Sequence, residues 1–69
     1  MEEYRVETEK GYLYGYVRTK NSLEAASIIC NVYNLKNDKL VIFKRVDVDV
    51  YEEITRYNVN NFIITETAQ

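Results

Sequence analysis

The stretch Asp47-Val48-Asp49-Val50-Tyr51-Glu52-Glu53 holds four carboxylates and no base, and Glu2-Glu3 adds two more. Bases gather elsewhere, in Arg18-Thr19-Lys20, at Lys36 and Lys39, and in Lys44-Arg45. Nine Lys and Arg against eleven Asp and Glu leave a formal charge of only −2, so the distribution informs where the total does not. Read as extended chain, Asp47 and Asp49 share one strand face about 6.6 Å apart, two rises of about 3.3 Å. DNA carries about one phosphate per 3.4 Å on each strand, so two aspartates are too sparse to imitate it unless Glu52, Glu53, Glu2 and Glu3 complete the row. A rigid row of that kind is what a DNA mimic presents to the basic groove of a nucleic-acid-binding protein. The plainer reading is a solvated strand edge, where charges discourage edge-to-edge pairing, leading into a helix start that favours Glu52 and Glu53. Metal coordination is weakly supported, because Asp47-Val48-Asp49 lacks the loop glycine and spaced oxygens of an EF-hand.

Tyrosine supplies the second chemistry. Seven Tyr in 69 residues include the alternating set Tyr12, Tyr14 and Tyr16, either a core face with hydroxyls at its rim or an exposed platform. Exposed, with Arg18 and Lys20 beyond it, the ladder could stack on single-stranded bases or serve as a protein contact rich in Tyr and Arg. Net acidity and the lack of an RNP-like Gly and Phe motif count against direct nucleic-acid binding.

Other chemistries lack their residues. Cys30 stands alone, so no intramolecular disulfide can form, and with no His the chain cannot assemble a Cys and His zinc site. Cys30 lies among Ala25, Ala26, Ile28, Ile29 and Val32 with no adjacent base to lower its pKa, which reads as a buried structural thiol. Gly11 and Gly15 belong to neither GxxxxGK[ST] nor GxGxxG. The expectation is a non-enzymatic chain without cofactor or metal.

These side chains need elements to hold them. Tyr4 to Thr8 and Tyr12 to Thr19 alternate as two strands of a hairpin around Glu9-Lys10-Gly11. A three-residue loop with Gly11 as a G1 bulge asks positive φ only of the glycine, whereas a two-residue loop would ask it of Lys10. In the first register Tyr12, Tyr14 and Tyr16 share a face with Thr8, Val6 and Tyr4; in the second they lie beside Arg5, Glu7 and Glu9.

Asn21 with Glu24 three residues on predicts a helix start, and the helix should run to about Leu35. Its apolar arc is wider than one sheet face requires, so Ile28 and Leu35 at the edge are candidates for a homodimer or partner contact. Leu40-Val41-Ile42-Phe43 suits a central strand buried on both faces, and alternation then continues through Val50. For residues 51–59, Asp49 with Glu52 and the spacing of Val50, Ile54 and Tyr57 predict a short second helix, with a strand through Ile54 as the competing reading. Phe62 to Thr65 forms a last strand before a frayed tail at 67–69.

The result is one small α+β domain over 1–69, ordered ββαβ(α)β, with an antiparallel or mixed sheet of about four strands against one main helix. No apolar run reaches the roughly 20 residues of a bilayer span, and Met1-Glu2-Glu3-Tyr4-Arg5 lacks the features of a signal peptide, so the expectation is a cytoplasmic protein without a membrane partner. The functional expectation is a protein-binding module, in its sharpest form an acidic inhibitor whose Asp47, Asp49, Glu52, Glu53, Glu2 and Glu3 occupy a basic partner. Small interaction proteins of this size are common in viruses and mobile elements. A homo-oligomeric adaptor and a Tyr-platform single-strand binder using Tyr12, Tyr14 and Tyr16 are the alternatives.

Overall fold

The computed structural model describes residues 1–67. Five strands form one antiparallel sheet in the order β2-β1-β3-β4-β5, with a single helix on one side. They are β1 (Glu2–Thr8), β2 (Leu13–Thr19), β3 (Asp38–Asp47), β4 (Val50–Asn60) and β5 (Ile63–Glu66), and α1 (Ser22–Tyr33) lies between β2 and β3 in the chain. The α+β class agrees with the sequence pattern, but the sheet has five strands and not four.

Topology explains where the helix sits. Both β2 and β3 pair antiparallel with β1, so they run parallel to each other on either side of it. Joining them requires a crossover, and α1 supplies it by passing over β1. Beneath it lie Tyr4, Val6, Val17, Leu40, Ile42, Tyr57 and Val59, which meet Ala25, Ala26, Ile29 and Cys30 in one core. Asn21 caps the helix, its Oδ1 accepting from Glu24 N–H at 2.8 Å, and Asn34 in the left-handed conformation caps its end after Tyr33, two residues short of the expected Leu35. Strand β3 is central and buries Leu40, Val41 and Ile42 on both of its faces, while Phe43, expected with them, is half-buried.

The first hairpin keeps the expected turn and then departs from the expected register. Gly11 N–H donates to Thr8 O, Thr8 N–H donates to Tyr12 O, and Gly11 alone in this turn has positive φ (93°). A second irregularity then intervenes: Glu7 faces Leu13, but Val6 faces Gly15, leaving Tyr14 as the extra residue. From there every side chain of β2 changes face, because the strand period is two. The tyrosine ladder is therefore split. Tyr12 projects from the turn, Tyr14 packs on the helix side against Tyr33 with ring centroids 4.9 Å apart, and Tyr16 stands on the opposite face beside Arg5.

The second helix does not form; residues 51–59 belong to the eleven-residue β4. Its nine cross-strand partners on β3, interrupted by a bulge between Ile42 and Phe43, outweigh the local capping signal. The alternation through Val50 is likewise broken: Val48 and Asp49 turn the chain, with Asp49 at φ 58° and Asp47 Oδ1 accepting from Val48 N–H at 2.7 Å. At the β4 to β5 turn both Asn61 and Phe62 have positive φ, and this costly conformation is pinned from outside, by Asn61 N–H to Asn37 Oδ1 and Phe62 N–H to Lys36 O, each 3.0 Å. Of the tail expected to fray, Thr67 N–H donates to Arg56 O at 2.9 Å, and 68–69 lie outside the described residues.

Candidate functional site

Among the described residues, the side of the sheet away from α1 has no covering element. Reading across the register, Tyr16, Arg5, Phe43 and Glu53 form one row, Leu13, Glu7, Val41 and Arg56 the next, and Arg18, Glu3, Arg45 and Tyr51 a third. All four arginines of the chain are on this face, whereas among the lysines only Lys39 is. Its strand positions thus carry five bases against Glu3, Glu7 and Glu53, with Glu9 approaching from the turn to 3.9 Å of Arg56.

Long side chains lie across the strands and shield them, which is how Val41 comes to be buried without a helix above it. Arg5 lies flat over Phe43, its guanidinium carbon 4.4 Å from the ring centroid and 5.2 Å from that of Tyr51. Its Nε is 2.8 Å from Glu7 Oε2, an ion pair by distance although the N–H is not aimed along the contact. Tyr16 and Tyr51 meet with centroids 5.5 Å apart. Arg56 grips Glu53 with two nitrogens, Nε at 2.8 Å and Nη2 at 3.2 Å, which holds the Glu53 carboxyl below its ordinary range and the guanidinium above its own.

Glu3 is the hub of the third row. Arg18 Nη2 lies 3.9 Å from one of its oxygens, Arg45 Nη1 lies 3.9 Å from the other, and the Tyr51 hydroxyl donates to it. That hydrogen bond raises the Tyr51 pKa, since losing the phenolic proton would set two anions together.

The six acids expected to form one row are dispersed. Asp47 ends β3 and Asp49 lies in the turn to β4, so the two do not share a strand face. Glu52 faces Lys44 on the helix side, where Lys44 Nζ is also 3.8 Å from Glu2, while Glu53 projects from the other side and is bound by Arg56. Glu3 lies among arginines. Bases therefore separate acids that are adjacent in sequence.

Other candidate chemistry resolves into structure. Burial pushes the Cys30 thiol up, with Asp38 adding to the effect, so it is a poor nucleophile. Burial and the hydrogen bond to Asp38 push Tyr14 up to about 12. Ile28 and Leu35 are half-buried and pack against the core, and the exposed large apolar residues of the helix are Leu23, Val32 and Tyr33. Among the described residues no group of three or more acids or cysteines could hold a metal ion, and no helix is long and apolar enough to cross a membrane. An open groove of about 730 Å³ at one end of the sheet includes Lys10, Tyr12, Lys39, Asn58 and Asn60. Its acids serve the fold: Glu9 approaches Arg56, and Asp38 accepts from the Tyr14 hydroxyl and Lys39 N–H. The groove meets the arginine face at Lys39 and Asn58 and through Glu9, which approaches Arg56.

Compared with protein-family models, curated proteins and solved structures, the chain matches none of them.

Proposed function

We propose that this protein is a non-enzymatic protein-binding module whose contact surface is the uncovered sheet face bearing Tyr16, Arg18, Arg45 and Tyr51. The observation that carries the reading is the sorting of all four arginines, with Tyr16, Phe43 and Tyr51, onto the one side of the sheet that nothing covers. Arg and Tyr are the types enriched where binding energy concentrates, because they combine large contact area with directional donors. Around them Glu7 holds Arg5 and Glu53 holds Arg56, which lowers the ordering cost of association.

A nucleic-acid platform is less well supported. Arg5 already covers Phe43 and lies near Tyr51, so Tyr16, 55% exposed, is the ring left to stack on a base. The DNA-mimic form of the reading needs a continuous row of carboxylates, and the Lys44 and Arg56 pairings divide the set.

The test uses the whole protein immobilised in three forms: unaltered, Tyr16→Ala with Arg18→Gln, and Asp47→Asn with Asp49→Asn and Glu52→Gln. Proteins retained from a lysate of the source cells are compared. Loss of a partner from the Tyr16 and Arg18 variant, with retention by the acid variant, is the expected result. The reverse pattern overturns the assignment and restores the acidic-inhibitor reading.

A further inference from the structure

We propose that the partner segment meeting this face is acidic, and that one of its carboxylates seats between Arg18 and Arg45, where Glu3 stands as an internal substitute. The inference rests on the reading of the face as a protein-binding surface and adds the partner's chemistry.

The four arginines are not equally available. Arg56 is held bidentate by Glu53, and Arg5 is stacked on Phe43 and paired with Glu7. Arg18 is 68% exposed as a side chain, and its one ionic contact is the 3.9 Å approach to Glu3 Oε1. Arg45, 36% exposed, reaches Glu3 Oε2 at 3.9 Å and donates from Nε to Asp47 O at 3.3 Å. A guanidinium has five N–H donors in a planar fork, so most of the hydrogen-bonding capacity of these two is unspent. They flank the two oxygens of a single carboxylate, which is the arrangement a second carboxylate would seek. Glu3 itself is held most closely by the Tyr51 hydroxyl, while each arginine reaches it only at 3.9 Å.

Charge favours an acidic occupant over other candidates. Two copies placed face to face would oppose like-charged arginine pairs, and a basic partner would meet Arg18 first. A nucleic-acid backbone offers suitable anions, but binding driven by counterion release needs a larger excess of positive charge than five bases beside four acids, Glu9 included, provide.

The experiment is an NMR titration of the whole protein, following arginine side-chain N–H signals, with poly-L-glutamate as the acidic probe and a single-stranded oligothymidylate as the phosphate probe. Thermal melting confirms that each variant folds. Poly-L-glutamate should shift Arg18 and Arg45 more than Arg56 and lose affinity with added salt. Arg18→Gln should weaken it roughly two- to fivefold, the range for an exposed ion pair, and Glu3→Gln should strengthen it by a similar factor by removing the internal competitor. A Glu3→Gln variant that binds the probe no better, or worse, overturns the proposal, as does a stronger response at Arg18 to oligothymidylate. The opposite signs expected for Arg18→Gln and Glu3→Gln decide the matter. A captured partner that needs Tyr16 and Arg18 but not its own acidic residues sinks this inference alone. A partner indifferent to both sinks the protein-binding reading itself.

Discussion

The two faces of this sheet are built from the same strands and solve burial in opposite ways. Under α1, aliphatic side chains and Tyr4 and Tyr57 interlock with Ala25, Ala26 and Ile29, and water is excluded by a second layer. On the other face there is no second layer, and arginine stems, aromatic rings and glutamates lie across the strands and cover Val41 among them. The first arrangement gains free energy from area removed from water. The second gains little from each ion pair, since exposed pairs contribute only about 0 to 1 kcal/mol, and its ordered polar groups are better explained by recognition than by stability.

This contrast is sharpest under truncation. Ile42→Ala, at a fully buried position beneath the helix, should cost about 2 to 5 kcal/mol in denaturant unfolding, most of what a domain this small has to lose. Arg18→Gln on the open face should change the unfolding midpoint by less than about 0.5 kcal/mol. Equal losses would show that the open face is a second core.

Next in size is the hold of the helix on its face. Asn21→Ala removes the acceptor for Glu24 N–H and should cost about 1 kcal/mol, with no effect on partner capture. Tyr14→Phe probes the covered face by pH. Because the Tyr14 pKa is raised from 10.0 to about 12, the stability it contributes is complete below 10 and is lost as pH rises through the folded value. The variant should therefore lose less stability than the unaltered protein over that interval, as read by urea midpoints.

The smallest expected effect is at acid pH. The Glu24 carboxyl is held below its ordinary range by the Thr19 hydroxyl and then by Lys20, so its contribution is present above the unfolded pKa and lost as pH falls through the folded one. Glu24→Gln should flatten the decline in stability as pH falls below the ordinary carboxylate range. An unchanged slope would assign that decline to the open-face acids.

The fold was legible wherever a signal was local. Asn21 and Glu24 place the helix start, Gly11 places the first turn, and Leu40 to Ile42 mark the strand buried on both faces. The candidate site was legible only as residue types. Tyr16 and Arg18 carried a visible signal in the tyrosine ladder and its neighbouring bases, but Arg45, Tyr51, Phe43 and Arg5 did not, since they come from three strands and meet through pairing alone. A hint lay in the sequence itself: Arg45 and Tyr51 are placed for cross-strand pairing once Val48 and Asp49 are taken as a turn. Neither residue is a strong turn former in the way that Asn-Gly is, and unbroken alternation concealed it.

By itself the sequence determined the class of fold, the position of the helix, the central strand and the absence of histidine and disulfide chemistry, because capping, periodicity and composition are properties of a few consecutive residues. Only the tertiary structure decided that residues 51–59 extend as β4, that Tyr14 and Tyr16 part company, and that the acid cluster is divided between two faces. Each depends on register, and a bulge of one residue exchanges inside for outside along all that follows. The gathering of four arginines on one side of the sheet has the same origin: it is set by which strands become neighbours, and no local stretch of the chain contains it.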